Sequence, residues 1–146
     1  MRSVPRWWVL LGLLCGAWTA WADEERPYTP GPVISVTYVR TKAGMFDEYM
    51  KFVGGTYKRN MEEYKKAGLI LDYGVYQAAP HNPHEADVIL TTTYKNWAAL
   101  DGLQEKMDPI DAKVYGSVDA SNKGAVDRDK IREILGSATI QKLQLK

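Results

Sequence analysis

Cysteine is nearly missing from these 146 residues: Cys15 stands alone, and histidine is limited to His81 and His84. A lone cysteine closes no disulfide within the chain, and it builds no Cys-rich metal site. After residue 22 there is no run of about 18 apolar residues, so no later segment is long enough to span a bilayer as a helix. Charge of one sign is lacking too: 19 basic side chains face 18 acidic ones with no basic block, which argues against a nucleic-acid partner. No Ser-His-Asp order, phosphate loop, paired-carboxylate motif, internal repeat or low-complexity tract stands out.

What is present begins with the N-terminus. Arg2 and Arg6 precede the apolar run from Trp7 to Trp18, which is too short to cross a membrane. Ala20 and Ala22 place small residues where a signal peptidase reads, and Asp23-Glu24-Glu25 then turns acidic. Residues 1–22 therefore read as a cleavable signal peptide, and the expected location is secreted and periplasmic. A lipoprotein signal at Cys15 is disfavoured by the bulky Leu13-Leu14 before it. Cleavage after Ala22 would leave 124 of the 146 residues, one domain's worth, with 17 basic and 18 acidic side chains. It would also remove the cysteine and four of the five tryptophans, leaving Trp97. No membrane contact is expected after cleavage.

The mature chain shows one change of period after another. Residues 23–32, with Pro27, Pro30, Gly31 and Pro32, read as an extended leader outside the core. The β-branched stretch 33–40 is a strand, and 41–44 a turn. Phe46, Tyr49, Met50, Val53, Tyr57, Met61 and Tyr64 then recur at steps of three and four, the apolar face of a helix over 45–67. Its other face carries opposite charges at i,i+4, such as Lys58 with Glu62 and Arg59 with Glu63. Gly54-Gly55 interrupts it, each glycine costing about 1 kcal/mol against alanine, so a kink or a close backbone approach is expected there. Strands follow at 69–78 and 88–94, joined by the loop 80–85. Asn96 is placed to cap a helix through Trp97, Leu100, Leu103 and Met107, with Asp108-Pro109 breaking or restarting it. A polar loop at 117–124, a helix through Val126, Ile131, Ile134 and Leu135, and a last strand at 139–145 complete the chain.

The order is β-α-β-β-α-β with a helical insert at about 109–135. It predicts an α+β, ferredoxin-like fold for residues 33–146: a four-stranded antiparallel sheet with helices on one face. Both faces of the strands hold apolar or mixed residues: Ile34, Val36 and Tyr38 alternate with Ser35, Thr37 and Val39, and Leu71, Tyr73 and Val75 with Asp72, Gly74 and Tyr76. Helices cover one face only. Two sheets paired face to face in a homodimer would cover the other.

Residues 36–49, Val-Thr-Tyr-Val-Arg-Thr-Lys-Ala-Gly-Met-Phe-Asp-Glu-Tyr, run from a strand through a Lys-x-Gly turn into a helix. Residues 94–100, Tyr-Lys-Asn-Trp-Ala-Ala-Leu, pass from a strand end through a capped turn to a tryptophan at a helix start. In these stretches, and in element order over about 33–107, the chain resembles the dimeric α/β-barrel superfamily of antibiotic-biosynthesis-type monooxygenases, NIPSNAP-like and EthD-like proteins. The resemblance implies a homodimeric barrel around a small hydrophobic or aromatic ligand, which some members oxidise without a cofactor. No cofactor is expected here. The segment Leu103-Gln104-Glu105-Lys106-Met107 lacks the histidine that haem-degrading members carry there, and the helical insert is outside the simplest pattern.

Several residues are candidates for chemistry. Asp72 is a carboxylate in an apolar strand; facing a cavity, it would have a raised pKa and serve as a general base, and facing water it would pair with a cation. Asn96 and Trp97 match, through the resemblance, the Asn and Trp of cofactor-free oxygenases; otherwise Trp97 seats the second helix. Tyr38, Tyr73, Tyr76, Thr91 and Tyr94 offer a pocket apolar area and hydroxyls, and Arg40 an anchor for an anion. Core packing and a surface ion pair are the plainer roles. His81 and His84, with Glu85 and Asp87 near, are the candidates for a metal, but a proline-rich loop with no further ligands calls for none. Three roles stay open: a ligand-binding homodimer, a cofactor-independent monooxygenase or isomerase, and a non-catalytic protein-interaction module.

Overall fold

The computed structural model describes residues 26–146; the expected signal peptide lies outside them. β1 (Tyr28–Thr41) runs through the middle of a four-stranded sheet whose order is β2-β3-β1-β4, with β2 (Asp72–Gln77), β3 (Val88–Tyr94) and β4 (Arg132–Leu145). Every neighbouring pair is antiparallel. α1 (Phe46–Phe52), a π-helical turn (Val53–Tyr57) and α2 (Lys58–Lys66) follow one another without a break between β1 and β2. A 3-10 turn (Trp97–Leu100), α3 (Leu103–Tyr115) and α4 (Val118–Arg128) lie between β3 and β4.

The helices cover one face of the sheet, as the element order predicts. Val33, Val39, Val88 and Tyr94 point to that side and are buried with Tyr49, Val53, Met61, Tyr64 and Ile70. Burying an apolar side chain of this size contributes about 1.5–3 kcal/mol, and this layer is the core. Asp87, just before β3, accepts the Thr41 N–H at 2.9 Å and also the Thr41 hydroxyl, fixing where β1 ends relative to the hairpin.

The double glycine acts differently from one of the two expectations. Nothing lies within 4 Å of a β-carbon built on Gly54 or Gly55, so no backbone packs closely against them. They occupy the π turn instead. Tyr49, Val53, Tyr57 and Met61 are spaced by fours, which drifts about 40° per step on a regular helix. One widened turn, which glycine accommodates readily, takes up that drift and keeps the face toward the sheet.

Three boundaries also differ from the sequence expectation. Residues 28–32 are part of β1, not a leader outside the fold: Tyr28, Thr29 and Pro30 pair with Leu145, Gln144 and Leu143. β3 begins its pairing only at Val33, so the prolines meet no second neighbour whose ladder their missing N–H would break. Residues 117–124 form most of α4 rather than a loop, because Ser117 caps it, its hydroxyl accepting the Ala120 N–H at 2.9 Å. The helical insert ends at Arg128, short of 135, and Ile134 and Leu135 belong to β4, where long-range pairing with β1 outweighs the local period. Pro109 breaks nothing. It sits inside α3 on the exposed side, and the Glu105 carbonyl it deprives of a donor belongs to an exposed residue that water reaches.

Candidate functional site

Period-two alternation sends Ile34, Val36 and Tyr38 to the sheet face away from the helices. Register then aligns them in rows: Tyr38 beside Ile89, and Ile89 beside Tyr76; Val36 beside Thr91 and Ala138; Ile34 beside Thr93 and Ile140. Tyr38, Tyr76 and Ile140 are 39%, 56% and 51% exposed, a level of exposure that makes this an uncovered apolar surface in the single chain. The β1–β4 ribbon continues past the sheet and carries exposed Leu143 and Leu145.

On the helix side is a second feature, a cavity of about 200 Å³ between the sheet and all the covering helices. Thr37 and Leu90 line it from the sheet; Tyr49, Tyr57 and Tyr115 bring three phenol rings from the helices, and Arg128 and Arg132 two guanidinium groups. Arg132 is 6% and Asn60 5% exposed, and neither the Arg132 Nη1 nor the Asn60 Oδ1 has a hydrogen-bond partner among the described residues. Burial raises the pKa of Tyr49, and the positive charges of Arg132 and Arg128 pull it back down in part. Tyr57 and Tyr115 are raised by burial as well. Arg128 is lowered by burial, and its guanidinium lies 4.1 Å from the centre of the Phe52 ring, a cation–π contact. Burial thus favours the neutral form of all three phenols.

Asn60 also belongs to a polar triangle. Its Nδ2 donates to the Tyr64 hydroxyl and to Asp111 Oδ1, both at 2.9 Å, and the Tyr64 hydroxyl donates to the same carboxylate oxygen. This ties α2 to α3 and uses both amide hydrogens of Asn60, so its Oδ1 is left without a donor among the described residues. Burial, then the bond to Asp111, raises the Tyr64 pKa.

The residues singled out from sequence do not form one cluster. Asp72 lies exposed on edge strand β2, and Lys65 Nζ donates to it at 2.9 Å. That bond, with the Tyr73 backbone N–H and the lysine charge, lowers its pKa, the reverse of what a general base at neutral pH needs. Asn96 caps the 3-10 turn by accepting the Ala99 N–H at 3.1 Å. Trp97 is half exposed and donates through Nε1 to Gln141 at 3.1 Å, which joins that turn to β4. Arg40 is paired with Glu133 at 2.5 Å.

Tyr38, Tyr76 and Thr91 share the open sheet face, whereas Tyr73 and Tyr94 face the helices. Tyr94 is buried in the core, and burial raises its pKa. Tyr73 donates to Glu62 at 2.7 Å; burial and that bond push its pKa up to about 12. His81 and His84 are exposed, their backbone N–H groups bound by Glu85 and Asn82. Among the described residues no group of three or more His, Cys, Asp or Glu side chains is placed to hold a metal ion. Asn60, Arg128 and Arg132 were not apparent from sequence: a helix-face asparagine and two arginines in a charged stretch look like solvated positions until the fold buries them.

No protein-family model matches the chain, and no curated protein matches it in sequence. Solved structures do. HapK from Hahella chejuensis is similar with a TM-score of 0.52 at 10% identity, covering 75% of this chain and 91% of its own. A dimeric ferredoxin-like protein from an uncultured marine organism has a TM-score of 0.50 at 14% identity, covering 81% of this chain and 98% of its own. The fold is ferredoxin-like. Its four strands alternate correctly for a split βαβ sheet, and the same order puts the open face and the helix-side cavity on opposite sides of β1.

Proposed function

We propose that the chain acts as an exported homodimer that binds a small hydrophobic or aromatic molecule. The observation that carries the dimer is the open sheet face, where Tyr38, Ile89 and Tyr76 form one continuous apolar row that no element covers among the described residues. A row of this kind, flanked by Ile34 and Ile140, is what two sheets bury when they pair face to face, about 10 Å apart. The similar marine protein is itself described as dimeric, which supports a dimer. Small-molecule binding is supported by the helix-side cavity, whose three tyrosines give apolar walls with hydroxyl donors. Dimerisation then has a structural purpose: it covers the far face of the sheet that forms the cavity floor.

Sedimentation velocity on the protein from residue 23 onward tests the dimer. The expected result is one species of twice the chain mass, reduced to monomer by Tyr76→Glu. That change sits on a half-exposed side chain and leaves the monomer folded. A wild-type monomer across the accessible concentration range would overturn this part of the reading. Native mass spectrometry of the same sample tests the ligand, with a retained small molecule expected.

A further inference from the structure

We infer that the helix-side cavity takes a small aromatic carboxylate bearing a hydroxyl group, with the carboxylate on Arg132 and Arg128 and the hydroxyl on Asn60. This rests on the reading that the protein binds a small molecule, and it names both the place and the chemical class.

The argument starts from two unmet groups. Arg132 is 6% exposed, and its Nη1 lacks a hydrogen-bond acceptor among the described residues. Asp129, the nearest carboxylate, lies 3.8 Å away, beyond hydrogen-bond length, and is itself largely exposed. A buried guanidinium with a free N–H carries a substantial desolvation cost, which an anion inside the cavity would offset. Arg128 adds a second positive charge on the same wall, close enough to interact electrostatically with Arg132 and with the Tyr49 and Tyr115 hydroxyls. Two guanidinium groups that repel each other across a partly dry space are held together well by one shared oxyanion.

Asn60 is the complementary case. Both Nδ2 donors are used on Tyr64 and Asp111, so its Oδ1 is an acceptor without a donor, on a residue that lines the same cavity. A ligand that satisfies both walls must carry an anion and an O–H or N–H. Tyr49, Tyr57 and Tyr115 line the same cavity. These favour a flat aromatic body, and about 200 Å³ admits a single ring with its substituents.

The cavity also has an approach. A surface depression bordered by Lys42, Asp129 and Glu133 shares Arg132 and Ile134 with it, so the guanidinium stands between outside and inside.

Isothermal titration of the protein from residue 23 onward with 4-hydroxybenzoate, benzoate, 4-cresol and inorganic phosphate tests the proposal. The expected order is 4-hydroxybenzoate tightest, benzoate weaker, and neutral 4-cresol weaker than 4-hydroxybenzoate by about ten- to hundredfold, the loss of a charge-assisted contact. Arg132→Met abolishes the preference for the acid. Arg128→Gln, at a position with more solvent contact, weakens it with less demand on folding. Equal binding of 4-cresol and 4-hydroxybenzoate would overturn the anion assignment and leave small-molecule binding standing. Phosphate binding as well as the aromatic acid would overturn the aromatic class. Failure of all four probes at millimolar concentration would overturn both this proposal and ligand binding at the cavity, while the dimer would be judged separately by sedimentation.

Discussion

The Tyr76 ring folds back over Gly74: a β-carbon at position 74 would lie 2.7 Å from Tyr76 Cε2 and 2.8 Å from its hydroxyl oxygen. The Thr91 hydroxyl on the neighbouring strand closes the other side at 2.7 Å. Glycine at 74 is therefore what lets an aromatic ring lie flat along the open face in place of standing out from it.

Gly74→Ala follows directly. The methyl group forces Tyr76 off the strand, and because that ring is 56% exposed it has room to swing away. Monomer stability is expected to fall by about 1–3 kcal/mol, since the β-branched Thr91 on the neighbouring strand must shift as well as the ring. Self-association suffers more, because the displaced ring roughens a face that must pack flat. Chemical denaturation and sedimentation equilibrium on the same variant separate the two effects; a dimer of unchanged affinity would remove Tyr76 from the interface.

Asp111→Ala leaves the Tyr64 hydroxyl and one Asn60 donor without their shared acceptor in a buried setting. A loss of about 1–3 kcal/mol is expected from the unmet donors. Urea denaturation of Asp111→Ala, Tyr64→Phe and the double variant should show strong non-additivity. Additive losses would mean that the triangle does not act as a unit.

Glu63 bridges two lysines, Lys113 at 2.6 Å on α3 and Lys66 at 2.9 Å on its own helix. Those hydrogen bonds and charges hold its pKa at about 2, against an ordinary 4.5. A carboxyl whose pKa is lower folded than unfolded contributes stability above the unfolded value, and that contribution is lost as pH falls through the folded one. Wild type and Glu63→Gln should thus differ in melting temperature near neutral pH and converge between about pH 4.5 and 2. The group is partly exposed, and salt should shrink the difference. A gap that persists at pH 2 would assign the effect to packing instead of charge.

Processing is tested by expressing the full chain in a host with a periplasm. The product in the periplasmic fraction should begin at Asp23 and fluoresce from Trp97 alone. Because that indole is 49% exposed, iodide should quench most of its emission. A cytoplasmic product of full length would set aside the signal peptide.

Much of the fold was legible because its elements announce themselves locally. Phe46 to Tyr64 repeat at helical spacing and 33–40 are β-branched, and either pattern survives whatever the rest of the chain does. The misread segments are those where a distant partner decides. Ile134 and Leu135 fit a helix by spacing, yet Ile134 pairs with Val39 and Gly136 with Tyr38 across nearly a hundred residues, which makes the segment strand. Pro30 looks like a linker until Leu143 comes beside it.

The sequence by itself determined the element order, the two-sided patterning of the strands and the near-balance of charge, since each depends on residues close together or merely counted. Tertiary structure alone decided which tyrosines share a face, that Asp72 meets Lys65 in water, and that Arg132 and Asn60 are buried around one cavity with unmet hydrogen bonds. Burial and partner are properties of the packed chain. A polar side chain acquires an unusual chemistry only when strands and helices far apart in sequence close around it and shut out the water that would otherwise satisfy it.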